Sequence, residues 1–253
     1  MNMRESTNPA IRVINSQAGS FNFGGEGVDA NAATVSGTAT KSLLLVALTL
    51  ISGWFAMAYS INSVVNTGTP ASGLMYASLI AGVIVAFITI FKPHTAPVTA
   101  PIYALCEGAA LGSLSGMFEF KYPGIVSTAV MSTFVVVMVM LALWKFRIIV
   151  PTQRFRAVVT SATLGVCVLY FVNMLFNLFG TALFPTSGVL SVGISLIVCT
   201  IAAMNLVLDF DQIEQSVNMG LPKYFEYFNA FSVLVTICWL YIEILRLLAN
   251  RNE

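Results

Sequence analysis

Seven apolar stretches, each about 20 residues long, follow one another along the chain with a break between each and the next. They lie at Ser42–Ile61, Leu74–Phe91, Thr99–Phe118, Gly124–Trp144, Ala157–Phe179, Val189–Leu208 and Tyr227–Leu248. A helix of that length, rising ~1.5 Å per residue, crosses roughly 30 Å of hydrocarbon. The breaks are Asn66 to Gly73, Lys92-Pro93-His94, Tyr122-Pro123-Gly124, Pro151, Pro185 to Gly188, and Gly220-Leu221-Pro222. Composition agrees: 57% of the 253 residues are hydrophobic and 9% are charged, against about 25% charged in an ordinary soluble domain. So few polar residues cannot build a water-facing surface. The expected fold is all-α, a polytopic integral membrane protein with seven transmembrane helices.

Residues 1–40 are polar and lack a signal-peptide-like apolar run, and they read as a flexible cytoplasmic tail ahead of a transmembrane domain at 41–250. Orientation follows from Lys and Arg. With the tail inside, the inner segments hold Arg4, Arg12, Lys41, Lys92, Lys145, Arg147, Arg154, Arg156 and Lys223, while the outer ones hold only Lys121, Arg246 and Arg251. That asymmetry favours a cytoplasmic N-terminus and an external C-terminus. The formal net charge of +1 points to no nucleic-acid partner.

Several chemistries are excluded. The single histidine, His94, falls in a predicted loop, so neither an intramembrane Ser–His dyad nor a histidine-rich metal site can form. No G-x-G-D accompanies Asp209, the seventh stretch has no lysine for a retinal Schiff base, and no phosphate-binding or zinc-protease motif occurs. Cys106, Cys167, Cys199 and Cys238 each sit in an apolar run without C-x-x-C spacing and read as small apolar residues. The sequence supports no enzyme, no cofactor and no permanent metal.

Attention therefore moves to the acids retained at membrane depth, where a carboxylate is costly and defaults to a functional candidate. Glu107 is ~12 Å inside the third stretch, counted from Thr99. Asp209 and Asp211 stand where the sixth stretch ends. Residues two apart on a helix are ~200° apart, so these two cannot share a face. Asn205, Asp209, Gln212 and Ser216 make one mostly polar stripe instead. If that helix continues to Gly220, Asp209 lies ~16 Å before the turn, a depth close to that of Glu107, and an inner-half cluster of the two acids is geometrically open. The alternative is that the helix ends at Leu208 and the acids are solvated. Glu243 and Arg246, at i and i+3, suit an intrahelical ion pair near the outer surface. Asn173 and Asn177 suit hydrogen bonds between helices. Gly108, Gly112 and Gly116 form a stripe that permits close helix packing.

Two stretches resemble the Bax-inhibitor (transmembrane BAX-inhibitor-motif) superfamily, particularly its bacterial members. One runs from Ala104-Leu105-Cys106-Glu107-Gly108 through Met117-Phe118-Glu119 to Tyr122-Pro123-Gly124-Ile125-Val126. The other is Leu208-Asp209-Phe210-Asp211-Gln212-Ile213 followed by Gly220 and Tyr224, similar to the family's D-T-Q-x-I hairpin with Asp209 as the motif aspartate. The resemblance implies seven helices with one central helix, in the bacterial inner membrane. It implies either a pH-sensitive calcium leak, in which acids of spans six and seven pair, or a regulator of a membrane-embedded ATP-dependent protease. Counted from Gly220, the place of the seventh-span acid is taken by Leu234, so Asp209 lacks the expected partner.

The resulting expectation is a pH-sensitive cation (Ca²⁺, H⁺) leak or transport protein. Glu107, Asp209 and Asp211 would line its pathway or gate, with transient Ca²⁺ near Asp209. Arg154 or Arg156 would be the gate partner, ahead of Arg147, and Glu243 with Arg246 would be secondary. The rival expectation is a non-catalytic regulator that engages a membrane protease, with residues 1–40 as the engaging segment.

Overall fold

The computed structural model describes residues 32–69, 71–180 and 189–252. Residues 1–31 of the segment read as a tail, the Pro185 to Gly188 break and the Asn177 side chain lie outside what is described. Among the described residues there are seven long helices and no strand: α1 Val35–Thr67, α2 Ser72–Phe91, α3 Ala96–Lys121, α4 Ile125–Lys145, α5 Gln153–Leu178, α6 Val189–Asn218 and α7 Phe225–Asn252. A short 3₁₀ turn, Pro93–Thr95, joins α2 to α3.

Several helices outrun their apolar stretches. Helix α1 begins at Val35, inside the segment read as polar, because Thr34 caps it: the Thr34 hydroxyl accepts from the Gly37 amide at 2.9 Å. Helix α6 continues past Leu208 to Asn218, so Asp209, Asp211 and Glu214 are helical. The expected alternative of a helix ending at Leu208 is not what forms. The chain turns at Gly124 and Gly220, both with left-handed φ values of 86° and 62°.

Six of these helices are long and apolar enough to cross a membrane. The exception is α3, whose Gly, Ser, Pro and Glu107 dilute its hydropathy. It is shielded by its neighbours: α1 and α2 pack on it extensively and α7 joins them. Its contact with α1 is backbone to backbone. A methyl group at Gly112 would stand 2.1 Å from the Gly53 carbonyl oxygen, and one at Gly108 would stand 2.4 Å from that of Thr49. The closeness lets α1 hydroxyls bond α3 carbonyls, Ser52 to Leu105 at 2.6 Å and Ser60 to Ser113 at 3.1 Å. Lipid is as apolar as leucine, so tight packing and such hydrogen bonds replace hydrophobic burial as the force holding two helices together.

Helix α7 is the most buried of the six, with half of its apolar window enclosed, whereas α5 has 11%. One face of α7 packs with α4 and α6 through Val233, Leu240 and Ile244. Another packs with α1 and α3 through Ala230, Phe231, Leu234 and Cys238. Helix α5 leans substantially on α6 alone.

Candidate functional site

Helix α6 carries the acids, and its 100° step sends them to different neighbours. Asp209 turns toward α7. It is 9% exposed, and its Oδ1 accepts from the Ser232 hydroxyl at 2.7 Å. The Thr236 hydroxyl on the same face donates to the Ser232 carbonyl oxygen at 3.3 Å and stands beside the Asp209 carboxylate, and Asp209 Oδ2 has no close hydrogen-bond partner among the described residues. No basic group among the described residues pairs with Asp209. The same helix–helix seam holds a second orphan, Asn229 Nδ2, although Asn229 Oδ1 accepts weakly from Ser216 at 3.5 Å. Orphaned buried polar atoms are uncommon and call for water, an ion or a conformational change.

Asp211 turns the other way, toward α5. Arg156 Nη2 and Gln215 Nε2 both donate to its Oδ2. These side chains, with Thr160, Leu208 and Gln212, line a cleft of about 370 Å³ between α5 and α6. Of the two expected arginines, Arg156 is therefore the one engaged. Arg154 is exposed and takes no part in an ion pair among the described residues. Arg147, ranked last, bonds Glu214 at 2.7 Å.

Glu107 and Asp209 do not meet. Glu107 faces Tyr103 on its own helix and Gly82 of α2, where a methyl group would lie 3.5 Å from its Oε2. Asp209 faces α7 from the α6 side. Helices α3 and α6 have no substantial contact, and α7 packs on both. The expected inner-half cluster rested on equal axial depth, which says nothing of direction around the bundle. Leu234 is likewise not opposite Asp209. It is 1% exposed among Leu45, Tyr103 and Phe231, and Ser232 occupies the position facing the acid.

At the far end of α7, Glu243 and Arg246 do pair, at 3.5 Å, but Glu243 is buried rather than on the outer rim, at 1% exposure. The Tyr170 hydroxyl of α5 donates to Glu243 Oε1 at 2.8 Å and accepts from Arg246 Nη1 at 2.7 Å, while Trp239 Nε1 lies 3.3 Å from Oε1.

One buried acid was missed. Glu226, at the start of α7, is 1% exposed. Its Oε1 accepts from the amide and hydroxyl of Thr34, both at 2.9 Å, and its Oε2 pairs with Lys41. The signal available in the sequence was a lone cation and a lone acid each bordering an apolar stretch. Glu119, the acid of the first family-like stretch, caps α4 by accepting from the Gly124 and Val126 amides at 2.7 and 3.1 Å.

Among the described residues, no group of three or more His, Cys, Asp and Glu is gathered as a metal site. No curated protein matches the chain. One family does, described as Bax inhibitor 1 like and matching residues 6–253, which is nearly the full length. An all-helical membrane chain with the Asp209 hairpin and a match of that extent belongs to the Bax inhibitor 1 like family.

Proposed function

We propose that the protein is a pH-sensitive cation leak or transport protein, with Ca²⁺ as the favoured cargo, and that its seven helices all cross the membrane around α7. The observation carrying this reading is Asp209: a carboxylate buried between two helices, with the Ser232 and Thr236 hydroxyls beside it and no cation paired with it among the described residues. A structural carboxylate at membrane depth is normally paired. This one is held ready to exchange a proton or a cation. A protonated Asp209 would have a hydrogen to give through Oδ2, and an ionised one an open ligand position for a hard cation. Two residues along, the Arg156–Asp211 pair closes the neighbouring cleft, on the side that the excess of Lys and Arg assigns to the cytoplasm.

The test is Ca²⁺ efflux from vesicles reconstituted with the full chain, across a pH series. Wild type should release Ca²⁺ at a rate that depends on pH. Asp209→Asn, which keeps shape but removes the titration, should release it at a rate independent of pH. Absence of wild-type release at every pH would sink the proposal.

A further inference from the structure

Helix α5 is held to the bundle in an unusual way. It has little buried apolar surface, and Val158, Leu164, Val168 and Phe171 face outward at 57–67% exposure. Its bundle-facing side buries Val159 and Val166, 3% and 6% exposed, and alternates them with a row of polar links. Arg156 pairs with Asp211, the Thr163 hydroxyl accepts from Asn205 Nδ2 at 2.7 Å, and the Tyr170 hydroxyl donates to Glu243 at 2.8 Å. The three α5 positions are seven residues apart. Seven residues make two turns less ~20°, so the links share one face and repeat every ~10 Å.

We propose that the cation route is the seam between α5 and its neighbours, and that α5 is the wall that moves. The inference rests on the leak reading above and adds where the cation passes. In the closed seam each polar group is occupied by its opposite number. When α5 swings out, Arg156 leaves with it, because the arginine is on α5 and the acid on α6. Asp211 then keeps only Gln215 of its own helix and is a carboxylate without a cation at one mouth. At the other end Glu243 loses Tyr170 but keeps Arg246 and Trp239, which share its helix. Between them Asn205 loses the Thr163 acceptor of its Nδ2, and a turn of the side chain brings its amide oxygen to the seam. The opened seam presents oxygen ligands at intervals, which suits a hard divalent cation passing between sites.

Two measurements test this. In a full chain with Cys106, Cys199 and Cys238 replaced by alanine, Cys167 of α5 and Ile201→Cys of α6, each four residues from the Thr163–Asn205 link, are joined by a short reducible bifunctional thiol reagent. Bridging α5 to α6 should abolish Ca²⁺ efflux, and dithiothreitol should restore it. The same reagent across Ser60→Cys and Ser113→Cys, between α1 and α3, should leave efflux intact. Efflux that persists through the first bridge would overturn the inference while leaving the leak reading standing. The second measurement does not depend on conduction. Spin labels on Cys167 and at Leu196→Cys report the α5–α6 distance, which should gain a longer population in Arg156→Gln and in Tyr170→Phe. An unchanged distance in both variants overturns the movable wall, whereas a lengthened distance in vesicles that never release Ca²⁺ overturns the leak reading.

Discussion

Glu226 is buried as fully as the leucines of the core, yet it is a charge. It is tolerable there because three groups converge on its two oxygens, the Thr34 amide and hydroxyl and Lys41, and Gly37 leaves room for them. A methyl group at Gly37 would stand 2.2 Å from Oε1. The two partners of the ion pair are not equivalent. Lys41 is 19% exposed and can extend its long side chain toward water, while Glu226, at 1%, cannot. Lys41→Met should therefore cost about 3–5 kcal/mol, the range for stranding a buried charge, and Glu226→Gln clearly less. Thermal unfolding of the detergent-solubilised protein measures both, and the reverse order would contradict this account of the site. Asp209 is the contrasting case: two hydroxyls beside it, Ser232 and Thr236, and no cation among the described residues.

At the scale of the helix, the glycine stripe of α3 makes a graded prediction. Added methyl groups would stand 2.1 and 2.4 Å from backbone oxygens at Gly112 and Gly108, but 2.8 Å from Ser60 Cβ and 3.1 Å from the Met57 carbonyl oxygen at Gly116. None of these atoms can rotate away, so the shorter approaches cost more. Alanine at Gly112 or Gly108 should destabilise by about 1–3 kcal/mol or more, as overpacking does, and alanine at Gly116 by less. Melting temperatures of the three variants in one detergent decide the order. The stripe itself was legible in the spacing of Gly108, Gly112 and Gly116, because helical periodicity is a one-dimensional property. Its partner surface on α1, Thr49, Gly53 and Ser60, was not, because pairing two faces needs the third dimension. Helix ends show the same division. Hydropathy locates where lipid contact stops, so it ended the sixth stretch at Leu208, while the hydrogen-bonded helix runs on to Asn218.

For the molecule as a whole, the crossing count is the property with the widest reach. Six helices qualify on apolar length, and α3 does not. A helix packed on α1, α2 and α7 faces mostly protein, with a strip of it, Val98, Ile102 and Leu105, exposed, so it needs less apolar surface than its neighbours. If α3 crosses as the others do, the count is odd and the two ends of the helical region lie on opposite sides. Single cysteines at Ser36 and Arg251, in a cysteine-free background, should react with an impermeant thiol reagent from opposite sides of sealed vesicles. Labelling from one side would reduce the count to an even number. The candidate site was only partly legible at this scale. The choice of Asp209, Asp211 and Arg156 came from residue type and position, and Arg156 does meet Asp211. The pairing of Glu107 with Asp209 failed because distance along a helix axis is readable from sequence and direction around the bundle is not. Here α7 stands between them.

The Thr34–Lys41–Glu226 contact also sets an order of events. The first helix depends for its starting turn on a carboxylate 192 residues later in the chain. A ribosome completes and releases α1 long before α7 exists. Throughout that interval the opening turn of α1 has only its own Thr34 cap, and Lys41 has no acid to meet. A nascent chain truncated before Phe225 would thus expose an uncompensated lysine at the edge of its first span. Arrival of α7 closes α1, so the first of these helices is finished only after the last of them has been made.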